Sequence, residues 1–193
     1  MEKIIVESEQ VLIDCYWALV LDSSKDFLNN CLNEKSFLVY FNEKNSDDLM
    51  IKFIMLEVSI IHSYVLSSEK KLFGPTEFDI YQLMFSKVQR LIKNNSDTYK
   101  NYSSNFTDYT SKFKEYSFEL SNDIRIQKDQ FFFPKSSLKA LEIFFDSKDK
   151  INNIVCILEV FNHANAMLLM YHDLGKKIVF KPNKQSKPFW KLW

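Results

Sequence analysis

A mainly α-helical bundle is the fold this sequence predicts, on three observations. Glycine occurs only at Gly74 and Gly175, and proline four times in 193 residues. That is too few for the tight turns of sandwiches and barrels or the phosphate loops of Rossmann-type folds. Apolar residues recur at steps of three and four over long stretches, which puts them on one face of a helix. A composition 46% hydrophobic and 26% charged is that of a folded chain, and at this length about 70% of the unfolded surface is buried on folding.

Residues 8–32 predict the first helix, with Val11, Leu12, Cys15, Tyr16, Leu19, Val20, Phe27 and Leu28 recurring along it and a kink at Asp22-Ser23-Ser24. Ser36 to Phe41 is rich in β-formers and predicts a short edge strand or extended connector. Ser46-Asp47-Asp48 is a helix start, since its side-chain oxygens satisfy free amides and its charge meets the positive helix end. The helix from Leu49 to Ser67 is apolar on most sides and is predicted to be central.

Gly74-Pro75-Thr76-Glu77 opens the next element. From there a seven-residue rhythm runs through Phe78, Tyr81, Phe85, Val88, Ile92, Asn95, Tyr99, Tyr102, Phe106, Tyr109, Phe113, Tyr116 and Leu120. This is the apolar seam of a coiled-coil-like helix, mostly aromatic. Asn94-Asn95-Ser96-Asp97 are poor helix formers, and Asp97 is a cap for a new helix at Thr98. Because the rhythm keeps its phase across them, the prediction leans to one helix of about 45 residues, ~65 Å long.

Phe131-Phe132-Phe133-Pro134 closes that segment and Ser136-Ser137 caps a short helix to Asp146. Ile151 to Asp173 predicts the most apolar helix, stopped by Gly175. Lys177 to Pro182 alternates like a strand, with Phe189 to Trp193 as a returning partner, giving a small C-terminal β-hairpin. Helices followed by a basic hairpin, with a turn at Asn162-His163-Ala164, stand in the order of a winged helix. The domain division is 1–130, a helical domain, and 131–193, C-terminal helices and basic β tail packed on the same core.

Residues 1–70 carry twelve acidic and six basic side chains, whereas Leu174 to Trp193 has six lysines and no acid. Only Arg90 and Arg125 are arginines, so an arginine-based phosphate or base-reading site is disfavoured. The abundance of Lys, Asn, Ile, Phe and Tyr points to an AT-rich coding genome. Cys15, Cys31 and Cys156 are odd in number and widely spaced, the pattern of reduced, buried thiols in a cytoplasmic protein. Apolar runs are interrupted by Glu57, His62 and Glu159, so no membrane span is expected.

Three functional expectations follow. The first is a non-enzymatic interaction or assembly subunit of a multi-component bacterial or phage system, docking on a protein partner or a second copy through Tyr99, Tyr102, Phe106, Tyr109, Phe113 and Tyr116. Rings bury large area at low entropic cost, which suits an interface. The second is nucleic-acid association through Lys176, Lys177, Lys181, Lys184, Lys187 and Lys191 in the tail. The third is a helical enzyme or ligand binder centred on Glu159 and His163, which share a polar stripe with Asn162 on a greasy helix. That third reading requires a concave pocket reaching both side chains. Glu57 with His62 is a similar pair on the central helix. Neither pair has the Glu-x-x-His spacing of di-metal bundles, and His172-Asp173 lacks the later aspartate of a phosphohydrolase dyad. With no nucleophile elbow, phosphate loop or paired-cysteine motif, no cofactor and no metal are expected.

Overall fold

One helix is surrounded by the others. The computed structural model describes residues 3–33, 46–67, 77–95, 97–126, 136, 139 and 154–180. Along the chain these form β1 (Ile4–Val6), α1 (Glu9–Asn33), α2 (Ser46–Ser67), α3 (Glu77–Asn94), α4 (Lys100–Ile126), α5 (Ile154–Lys177) and β2 (Ile178–Phe180). Residues 51–61 of α2 are all buried, and α1, α3, α4 and α5 each pack against it. A helix apolar on most sides has no solvent face to offer, so it occupies the centre. Ser8 caps α1, its hydroxyl accepting the Val11 N–H at 3.2 Å, and α1 passes through Asp22-Ser23-Ser24 without a break.

The long-helix expectation is corrected. α3 ends at Asn94 and α4 begins at Lys100. The rings of Phe85 and Phe106 meet edge-on with centroids 6.5 Å apart, whereas 21 residues along one straight helix would separate them by about 31 Å. The Asn95 side chain bonds back to the Leu91 carbonyl, closing α3. The Tyr99 N–H then donates to the Asn95 carbonyl at 2.9 Å, one further turn of helical spacing. That single turn explains why the rhythm survives a change of direction. Both halves of the seam face one core: Phe85, Val88 and Ile92 from α3, and Phe113, Tyr116 and Leu120 from α4.

α2 and α4 run parallel, because Ser59 bonds to Phe113 and Ser63 to Ser117. The Ser59 hydroxyl reaches the Phe113 carbonyl at 3.2 Å and the Ser63 hydroxyl reaches the Ser117 carbonyl at 2.8 Å. Small side chains let the two backbones approach, and their hydroxyls find acceptors across the gap. Within α4, the buried Asp123 accepts both the N–H and the hydroxyl of Ser136, and Glu115 pairs with Lys139 at 2.9 Å.

The C-terminal expectations also change. α5 continues through Asn162-His163-Ala164 and past Gly175, with no turn at either place. β2 pairs with β1 in parallel, Ile4 opposite Ile178 and Val6 opposite Phe180, forming a two-stranded sheet from the two ends of the chain. The unbroken α5 lacks the turn that a winged-helix order needs. Ser36 to Phe41, residues 140–146 and Phe189 to Trp193 lie outside the described residues. No helix among the described residues is long and apolar enough to cross a membrane.

Candidate functional site

Part of the aromatic seam is covered within the chain. Phe113 and Tyr116 are buried, and Tyr99, Phe106 and Tyr109 are half-buried against the same core. The side chain of Tyr102 lies outside the described residues. Burial pushes the Tyr116 hydroxyl's pKa well up, with Glu57 and Asp123 adding to it. The physical reason is geometric: the seam faces α2, whose own apolar surface needs cover. Phe113 and Tyr116 are therefore core residues of this fold and not accessible anchors.

Of the six tail lysines, Lys176 is exposed beside Asp173 at 3.5 Å and Lys177 is half-buried where β2 begins. Lys181, Lys184, Lys187 and Lys191 lie outside the described residues. Cys31 is a buried thiol, while Cys15 is exposed, correcting its expected burial; the side chain of Cys156 is not among those described.

The polar residues of α2 and α5 combine in a different pairing from the one their sequence spacing suggests. Glu57 does not pair with His62, nor Glu159 with His163. Instead the fully buried carboxylate of Glu57 bonds His163 Nε2 through Oε1 and accepts the Tyr171 hydroxyl at 3.1 Å through Oε2. His163 and Tyr171 stand two turns apart on α5, so both face the one carboxylate of α2. Burial and the adjacent Glu57 charge hold the Tyr171 hydroxyl well above its ordinary pKa, which keeps it a donor. Phe27 from α1 completes the cluster: it stacks flat on the His163 ring, centroids 4.0 Å apart and planes within 4°, and tilts against Phe53 of α2. Tyr16 tilts against Tyr171 at 5.9 Å.

The tautomer follows from these partners. A carboxylate oxygen accepts, so Nε2 donates to Glu57, and Nδ1 is the ring nitrogen with no partner among the described residues. His163 is 13% exposed, and it opens onto a cleft of about 450 Å³. α1 and α5 both pack on α2 and bridge to each other through rings, which leaves a groove between them. Phe27, Asn30, Cys31 and Asn33 line one side; Glu159, Asn162, His163 and Ala166 line the other. The structure thus brings Glu159, Asn162 and His163 to one concave surface. Chemically, this wall offers an imidazole, a carboxylate and three carboxamides. Among the described residues no group of three His, Cys, Asp or Glu side chains is arranged to hold a metal ion.

No known family model, curated protein or solved structure matches this chain.

His62 lies on the opposite side of α2, bonded through Nδ1 to the Ser117 hydroxyl at 2.5 Å. Burial, and secondarily the charge of Lys114, lower its pKa from 6.5 to about 4. It is a neutral packing residue of the α2–α4 interface, remote from the cleft's chemistry. Sequence reading missed Glu57 as the partner of His163, and Tyr171, Phe27 and Asn30 as members of the site. One signal was present: a lone carboxylate in the interior of the most central helix must find a partner on another element.

Proposed function

We propose that this protein binds a small molecule in the cleft between α1 and α5, with His163 as the polar group that orients the ligand. One observation carries the reading. Glu57 gives up all solvent contact to hold His163, and His163 lines a concave surface that also receives Glu159 and Asn162. Burying a carboxylate costs several kcal/mol before its partners offset the loss, and a hydrophobic replacement is often no less stable. An arrangement that costs stability and fixes a ring lining an open pocket suits recognition better than packing.

The volume matches a ligand of metabolite size, since binding sites commonly enclose about 300–1,000 Å³. A fragment screen read by amide chemical shifts tests the proposal. Ala166, exposed on the cleft wall, is the place to block it: Ala166→Trp fills the groove without touching Glu57. Fragments should shift the amides of Asn30, Asn33 and Asn162 in the native protein and leave them unmoved in the variant. Shifts that ignore the Ala166→Trp change would remove the proposal.

A further inference from the structure

We infer that the ligand is an organic cation rich in N–H donors, an alkylammonium or guanidinium compound, seated with its charged head against His163 Nδ1 and Glu159. The inference rests on the cleft reading and adds the ligand's chemistry. Four features of the wall agree on it. Glu159 is exposed on the wall and makes no ion pair among the described residues. Among the described residues no lysine or arginine lines the cleft, so none of them offsets that charge or draws in a phosphate or carboxylate. The last turn of α1 supplies Asn30, Cys31 and Asn33 to the other side and contains no basic residue. The negative end of the α1 dipole therefore lies beside the groove, which favours a cation.

The fourth feature decides between a cation that merely sits near charge and one that donates. With Nε2 committed to Glu57, His163 presents Nδ1, which has no protein partner among the described residues. A ring nitrogen left with a lone pair on a cleft-lining histidine asks for an N–H or O–H. The carboxamides of Asn30, Asn33 and Asn162 add oxygens able to accept further N–H groups along the walls. A quaternary ammonium, with no N–H, would meet the charge and leave these acceptors unsatisfied. A bare divalent ion would find too few ligating side chains.

Calorimetric titration of the full chain with agmatine, tetramethylammonium, succinate and butyramide tests the inference, with the His163 ring resonances followed in parallel. Agmatine should bind and shift those resonances, at least tenfold more tightly than tetramethylammonium and with succinate silent. Glu159→Gln, an exposed substitution that spares the fold, should weaken agmatine about tenfold, and Glu159→Lys should abolish its binding. Tighter binding of succinate, butyramide or tetramethylammonium at His163 would overturn the ligand class while leaving the cleft as a binding site. If none of the four moves His163 and the fragment screen also leaves the cleft amides still, the inference and the binding reading fall together.

Discussion

α2 presents two unlike surfaces to its neighbours. Toward α4 it meets rings and small residues: Phe113, Tyr116 and Leu120 are buried, and serine hydroxyls donate across the interface to backbone carbonyls. Toward α5 it meets a carboxylate–imidazole–phenol cluster built on Glu57. The first surface is cheap to bury, since apolar area leaves water and the few hydroxyls are satisfied within helical geometry. The second is expensive, because a carboxylate loses its hydration. An aromatic rhythm thus reports only that something must cover it, and here the chain itself covers Phe113 and Tyr116. A buried carboxylate must find partners, and here one of them, His163, also lines the cleft.

Breaking the α4 side should have the largest effect on stability. Phe113→Ala should cost about 4 kcal/mol in urea denaturation, as for other fully buried rings; a loss under 1 kcal/mol would return the seam to the status of an outer surface. On the α5 side, Glu57→Leu should cost about 3 kcal/mol, because the Tyr171 hydroxyl and His163 Nε2 lose their acceptor in a buried site. Replacing all three together, Glu57→Leu with His163→Leu and Tyr171→Phe, should recover most of that loss while abolishing ligand binding. If the triple variant were less stable than the single one, the cluster would be structural and the contrast between the two surfaces would fail.

The two sides also differ in their response to pH. His62 titrates at 6.5 in the unfolded chain and at about 4 in the folded one. Between those values the unfolded chain holds the extra proton, so stability falls as pH drops from 6.5 to 4 and is complete above 6.5. With its partial exposure allowed for, the change is on the order of 2 kcal/mol. His62→Gln should flatten that part of the stability profile relative to the native protein; an unchanged slope would place the titration elsewhere. The smallest effect belongs to the serine contacts. Ser63→Ala removes one hydroxyl donated to Ser117 and should lower stability by about 1 kcal/mol.

Much of the helical layout was legible in the sequence because caps and periodicity are local. Ser46-Asp47-Asp48 and Glu77 mark helix starts that the structure keeps, and the apolar excess of α2 placed it at the centre. The break at Asn95 was hidden because a single turn of helical spacing preserved the phase while the direction changed. The strand pairing was hidden for another reason: β1 and β2 lie at opposite ends of the chain, and no local spacing links Ile4 with Ile178. The candidate site was half legible. Glu159, Asn162 and His163 share a stripe on α5, but 106 residues separate Glu57 from His163. Which carboxylate meets which imidazole is decided by how α1, α2 and α5 pack.

The tautomer of His163 is the most direct measure of whether Glu57 holds the ring with one nitrogen facing the cleft. Long-range nitrogen–proton correlation of the imidazoles at neutral pH should show His163 with hydrogen on Nε2 alone and a bare Nδ1, and Glu57→Leu should release it to a mixture. Hydrogen on Nδ1 in the native protein, or a ring already averaging between the two forms, would contradict the account.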